Sequence, residues 1–544
     1  MWHQLWVGIK QVKWQLLFIV LVSAVTAAVL VWKQPKPTFF VHVISGMVQG
    51  IKVDGINTFL GIPYAKAPIG DLRWKAPQLP HVWQGIRKAN KVPPHCTQSI
   101  FGFDRGQEDC LYLNIWSPSL FPGDKKMPVM VWIHGGGFIV GHSYETTPAQ
   151  TLAKRGNVVV VSINYRLGAF GFLAHPYLTK EGDGTSGNFG MQDQIFALQW
   201  VKHNIEHFGG DPGNITIFGE SAGGMSVCNL LASPQALGWF NKAIIESGPC
   251  FTPYPDLAFM EKQGKEMESK LHCDTAQNPL ACMRGKTAKA ILRAMPPDPG
   301  MAFGDNANWM PNIDGKVMTE QPMQSLEQGR FAMMPVINGN NANEGNLIVM
   351  FGHEYQFKKL TPEKYPDRVN YLVRDQAKVQ KVLERYPLQN YSDPEEALSA
   401  VLGDQSFVCQ EKWTSDAIAK KAPVYSYYFS YPKSAFVLPE LRKLGAFHSS
   451  EVQFLFGVPM AWFESTFHGD EKILSDNMMD YWTQFARTGD PNRKGLPEWP
   501  KYNDSGKRLQ LDTTLGIKPG SDTDDTCNFW RSLLTSEFAS GQNI

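Results

Sequence analysis

The sequence predicts a mostly parallel α/β sheet with helices covering both faces, and three observations predict it. Val129 to Ile133 and Val158 to Ile163 are nearly continuous apolar runs without polar alternation, as strands buried on both faces require. "QDQIFALQWVKHNIEHFG" repeats apolar residues at helical spacing through Ile195, Leu198, Val201 and Ile205, and stops at Gly209–Gly210. "NITIFG" then reads as a third strand and "SAGGMSVCNLLAS" as a helix, with "WFNKAIIESG" and "MPVINGNN" as further strands or their beginnings. Strand and helix keep alternating, which is the signature of parallel crossovers.

Ahead of these elements, "FFVHVISGMVQGIKV" reads as a hairpin with glycine turns, preceded by the Pro-containing linker Lys33 to Thr38. No interior linker follows, so the expected division is an N-terminal segment over 1–36 and one large domain over 37–544. The 544 residues are 43% hydrophobic and 19% charged, an ordinary globular composition. A net charge of +1, with no basic run, excludes nucleic acid as an expected partner.

Leu16 to Trp32 carries no charge and is framed by Lys13 and Lys33, with Trp14 and Trp32 at its ends. As a helix it spans roughly 25 Å, the short limit for crossing a bilayer. Two readings stay open: an uncleaved membrane anchor, or a signal segment cleaved near Ala24, Ala27 and Ala28. In both, the rest of the chain is expected to be exported. The eight cysteines show neither CxxC nor mixed Cys/His spacing. Cys96 with Cys110, and Cys273 with Cys282, flank turn-rich segments, as local disulfide loops in an exported protein do, although spacing leaves connectivity open.

The chemistry lies in "IFGESAGGM". Gly219-Glu220-Ser221-Ala222-Gly223 fits G-x-S-x-G between a strand and a helix, the setting that makes this motif a nucleophile elbow. Small residues clear space at a tight turn, so that Ser221 projects from the carboxyl end of its strand. The helix N-terminus behind it favours developing negative charge. "IHGGGF", Ile133 to Phe138, follows a buried strand, where acyl transfer needs backbone N–H donors close to a developing alkoxide. Together the two motifs point to acyl transfer through a serine. "HNIEH", His203 to His207, fits an inverted zinc-protease motif, but no third ligand is identifiable; "SDTDD", Ser521 to Asp525, lacks the glycine and terminal glutamate of a calcium loop.

"FLGIPYAKAPIGDLRW", "EDCLYLNIW", "HGGGF", "NYRLGAFGFL", "FGGDPGNITIFGESAGG" and "GAFHSSEVQFLFG" occur in that order over roughly residues 40 to 530. In these landmarks the chain resembles the type-B carboxylesterase/cholinesterase family. The resemblance implies an α/β-hydrolase fold, a mostly parallel central sheet flanked by helices, with large insertions forming an active-site gorge. It implies Ser221 as nucleophile, Glu344 as acid and His448 as base, with Gly136, Gly137 and Ala222 as oxyanion donors. Ser247 matches a serine near the triad carboxylate, and Glu220 is grouped with it as triad support. The order Ser, Glu, His suits this fold. Where the family usually has Gly after the histidine, this chain has Ser449, which bears on the local backbone conformation.

The same resemblance pairs Cys96 with Cys110, Cys273 with Cys282 and Cys409 with Cys527, leaving Cys228 and Cys250 as free, buried packing residues. It also matches Arg73–Glu108 and Arg166–Asp193 to buried ion pairs that orient loops. No metal or organic cofactor is expected. The expected substrates are small-molecule or lipid carboxylic esters. A cholinesterase holds its cationic substrate with a tryptophan in the first disulfide loop, and "CTQSIFGFDRGQEDC" contains none. A non-catalytic adhesion role, also found in the family, is opposed by the retained Ser221, Glu344 and His448.

Overall fold

The computed structural model describes residues 38–540 apart from 101, 122, 124, 145–147, 297–308, 355–358, 374, 433–443 and 460–465. Leu16 to Trp32 therefore lies outside the described residues. Within them, no helix is long and apolar enough to cross a membrane.

Twelve labelled strands follow one another along the chain: β1 (Thr38–Val43), β2 (Gly46–Val53), β3 (Ile56–Pro63), β4 (Tyr112–Ser117), β5 (Met127–Ile133), β6 (Val159–Ile163), β7 (Gly210–Glu220), β8 (Lys242–Glu246), β9 (Val336–Asn341), β10 (Val424–Phe429), β11 (Lys507–Leu511) and β12 (Gly516–Pro519). In space they lie in the order β1-β2-β3-β4-β6-β5-β7-β8-β9-β10-β11-β12, and the short strand Ile86–Lys88 pairs with β2. From β6 through β11 every neighbouring pair is parallel; both flanks are antiparallel. This is the expected α/β-hydrolase architecture, with the predicted hairpin at β1–β2.

The unbroken apolar runs have a physical reason. Along β5, Val129, Val131 and Ile133 enter one hydrophobic core while Met130 and Trp132 enter the other, on the opposite face. β7 and β8 divide in the same way, with Ile215, Ile217, Ala243 and Ile245 on one side and Phe218 and Ile244 on the other. A strand between two cores has no face to leave to water. The first core is packed by α2 (Phe189–Asn204) and α3 (Ala222–Ala232), and the second by α1 (Gln150–Gly156) and α7 (Gly469–Thr488). The connections from β8 to β9 and from β9 to β10 carry additional helices, among them α5 (Pro394–Gly403) and α6 (Cys409–Ala419).

Disulfides join Cys96 to Cys110, Cys273 to Cys282 and Cys409 to Cys527, the last tying α6 to the C-terminal helix α8 (Asp524–Ser540). The expectation that Cys228 and Cys250 are free is corrected: they form a fourth bridge, with Cα atoms 5.6 Å apart. Its cause is a close backbone approach. A Cβ on Gly224 would lie 2.8 Å from the Gly248 Cα, so α3 rests directly on the loop after β8. Cys228 stands one turn beyond Gly224 and Cys250 two residues beyond Gly248, which brings the sulfurs together. Both residues are buried, as expected. The predicted ion pairs form as well: Arg166 holds Asp193 (2.7 Å) and Arg73 holds Glu108 through two hydrogen bonds.

Candidate active site

β7 delivers Ser221 to the sheet's carboxyl edge, and α3 begins one residue later. Ser221 has φ 58° and ψ −123°, a strained left-handed turn for a residue with a side chain. It is held there by its N–H donating to Glu246 O (2.9 Å) and by Met225 N donating to its carbonyl (2.8 Å). The surrounding glycines are forced by crowding. A Cβ on Gly223 would fall 2.0 Å from Ile133 O, and one on Gly219 2.6 Å from the Gly223 carbonyl carbon. Ser221 is 9% exposed.

The loop after β5 lies against this turn: a Cβ on Gly135 would sit 3.1 Å from Ser221 Cβ. Gly136 and Gly137 both have positive φ, 102° and 61°. Gly136 O accepts from Ile139 N and Val140 N, Tyr165 Oη donates to His134 O, and His134 Nδ1 donates to Gly135 O. Burial pushes the His134 imidazole down to about 3, so it remains neutral and clamps the loop without adding charge. The N–H groups of Gly136, Gly137 and Ala222 make no hydrogen bond to another described residue.

Glu344 and His448 arrive on two loops zipped together. Asn343 N donates to Ala446 O (2.9 Å), Ala446 N donates to Asn343 Oδ1 (3.0 Å), and Asn341 Nδ2 donates to Phe447 O (2.8 Å). Glu344, 1% exposed, opens α4 (Glu344–Glu354) just beyond β9. Its Oε1 accepts from Ser247 Oγ and Asn341 N, both at 2.6 Å, and its Oε2 accepts from His448 Nδ1 at 2.6 Å. Ser247 thus lies beside the Glu344 carboxylate.

On the other edge of the imidazole, His448 Nε2 lies 3.2 Å from Glu220 Oε1. Among the described residues, no hydrogen bond joins Ser221 Oγ to His448. Burial pushes the Glu220 carboxyl up, against the opposing pull of His448 and the Ser449 hydroxyl. Burial lowers His448, but Glu220 and the Glu344 hydrogen bond outweigh it, and the imidazole stands above its ordinary value. Sequence reasoning missed two further carboxyls. Burial pushes Glu246 up to about 8, with Trp482 Nε1 donating to it (2.8 Å). Glu451 is likewise raised by burial, and Asn341 Nδ2 donates to it. Their only signal was place: Glu246 beside Ser247, Glu451 three residues past His448.

The elbow, the glycine loop before it and the buried acid–imidazole pair define a hydrolase of the α/β class. The chain belongs to the carboxylesterase family, whose model matches residues 37–530. It is similar to an acylcarnitine hydrolase of Mus musculus, 34% identical over 86% of this chain and 86% of that one. A medium-chain fatty acyl-CoA hydrolase precursor of Anas platyrhynchos is 34% identical over 92% of this chain and 93% of its own. Carboxylesterase 3B of Mus musculus is 33% identical over 92% and 91%. With these relatives, the protein is a carboxylic-ester hydrolase.

Proposed function

We propose that ester cleavage proceeds through an acyl-enzyme on Ser221. His448 takes the Ser221 proton as Oγ attacks the carbonyl, then returns it to the leaving alcohol. Glu344 holds the imidazole with Nδ1 protonated, and the N–H groups of Gly136, Gly137 and Ala222 receive the oxyanion. Water, activated by His448, releases the acid. The observation that carries this reading is the Glu344–His448 hydrogen bond at 2.6 Å, with Nε2 of the same ring 3.2 Å from Glu220, the neighbour of Ser221 in its strained elbow.

The substrates proposed are uncharged small-molecule or lipid esters rather than choline esters, because the Cys96–Cys110 loop holds no tryptophan. The relatives' names, acylcarnitine hydrolase and fatty acyl-CoA hydrolase, share the acyl-transfer chemistry but denote charged substrates outside the uncharged class proposed here. We further propose one catalytic domain over 37–544, exported behind residues 1–36, with the segment Leu16 to Trp32 either retained as an anchor or cleaved; four buried or partly buried disulfides support an oxidising compartment.

Ser221→Ala is expected to lower p-nitrophenyl ester turnover by about 10⁴-fold or more and to abolish fluorophosphonate labelling, in a folded protein. Full turnover in that variant would sink the mechanism. Acetylthiocholine is expected to gain little in kcat/KM over an uncharged ester of similar size.

A further inference from the structure

Ser449 follows His448 with φ 72°, one of few non-glycine residues in the left-handed region. Glycine occupies this conformation without strain, and a serine in it bears a steric cost. Its hydroxyl is not idle: Ser449 Oγ donates to Glu220 Oε1, the same oxygen that lies 3.2 Å from His448 Nε2. We propose that Ser449 is a positioning residue for the base, its hydroxyl holding Glu220 Oε1 so that the carboxylate does not keep the proton His448 needs to release. The inference rests on Ser221 and His448 acting as proposed above.

Glu220 Oε1 and His448 Nε2 are close enough to share one proton. With that proton on either atom, Nε2 is blocked: as imidazolium it has no lone pair, and beside a Glu220 hydroxyl its lone pair is occupied. Only the fully deprotonated pair can accept the proton of Ser221. Where the shared proton sits on Glu220, a hydroxyl donating to Oε1 favours its loss, because hydrogen bonds to a carboxylate are stronger than those to the neutral acid. Where it sits on His448, Glu220 stays a carboxylate throughout, and the hydroxyl acts by drawing charge from the oxygen that holds the imidazolium, which weakens that hold. In both forms, removing the hydroxyl lets the shared proton bind at higher pH.

The other ionisable groups facing this pair act on it through charge: burial and the Glu220 carboxylate raise both Glu246 and Glu451, Glu344 in turn raises Glu220, and each has its own hydrogen-bond donors. Glu344 receives Ser247, Asn341 and the far nitrogen of His448; Glu246 receives Trp482; Glu451 receives Asn341. The buried Tyr427 phenol, held far above its usual value by burial, does not titrate in the working range. Among the described residues, Ser449 is the side chain that donates to Glu220 Oε1 besides His448.

The experiment is a pH profile of kcat/KM on an uncharged ester for wild type, Ser449→Gly, Glu220→Gln and the double variant. Glycine suits φ 72°, so Ser449→Gly keeps the fold, and Ser449→Ala provides a second removal of the hydroxyl. The acidic limb is expected to move up by about one pH unit in both Ser449 variants, a loss that grows to about tenfold below the limb. In the Glu220→Gln background the Ser449 change is expected to move nothing. An unmoved limb in Ser449→Gly and Ser449→Ala, or a shift that persists in the Gln background, overturns the inference. Ser221→Ala run alongside separates the two claims: an inactive Ser221→Ala with an unmoved Ser449→Gly limb rejects Ser449 alone, and an active Ser221→Ala rejects both.

Discussion

The two edges of His448 are built differently. On the Nδ1 edge, Glu344 is met by donors from three separate places: Ser247 after β8, Asn341 at the end of β9, and the imidazole itself. Backbone and side chain together leave it one pose. On the Nε2 edge, Glu220 is met by Ser449 and by the imidazole at 3.2 Å, and its carboxyl is raised by burial. In the proposed mechanism one edge fixes the tautomer and the other leaves Nε2 able to exchange a proton.

The largest test of that contrast is Glu344→Gln against Glu220→Gln. A glutamine amide at 344 turns a donor toward Nδ1 and forces the proton to Nε2, the wrong tautomer, at a cost of about 10⁴-fold in kcat. Glu220→Gln loses a neighbour that shares the proton, and a loss of about 10–100-fold is expected. Equal losses would erase the distinction between the edges. Ser247→Ala is the next step down. It removes one of three donors and leaves the Asn341 N–H in place, so kcat is expected to fall about tenfold with little change in KM.

The smallest effect lies beyond Glu220 and is one of stability. Glu246 titrates at about 8 when folded against an ordinary value of 4.5. Between those values the folded chain binds the proton and the unfolded chain does not, so stability is fully present below about 4.5 and is lost as pH rises through about 8. Glu246→Gln mimics the neutral acid. Urea midpoints at pH 5 and pH 8 should differ less in that variant than in wild type; identical pH dependence would show that Glu246 is not carrying a proton.

The elbow was readable because its glycines are imposed by backbone contact: no Cβ fits 2.0 Å from Ile133 O at Gly223. The central strands were readable because burial between two cores leaves no polar position. Glu344 and His448 carry no such mark. Each sits in a polar loop without periodicity, and only the resemblance to a family singled them out. β4 and β10 escaped a reading as strands: "YLNIWS" and "VYSYYF" mix polar and aromatic residues whose burial depends on partners far along the chain. The Cys228–Cys250 bridge depends on where α3 rests, a tertiary contact that spacing does not encode. Ser449 was visible as a departure, but its partner Glu220 lies 229 residues away.

The Cys409–Cys527 bridge, finally, sets how the molecule bears mechanical load. It encloses a stretch of chain with a sequence separation of 118, and His448 lies inside it. A pull on the C-terminal helix reaches Cys527 and crosses the sulfur bridge straight to Cys409, so the enclosed stretch bears no tension along its backbone. From Cys409 the force continues toward the N-terminus through the segments that hold Glu344 and Ser221. Under traction between its ends, the chain would lose Ser221 and Glu344 from their places while the loop carrying His448 remained slack.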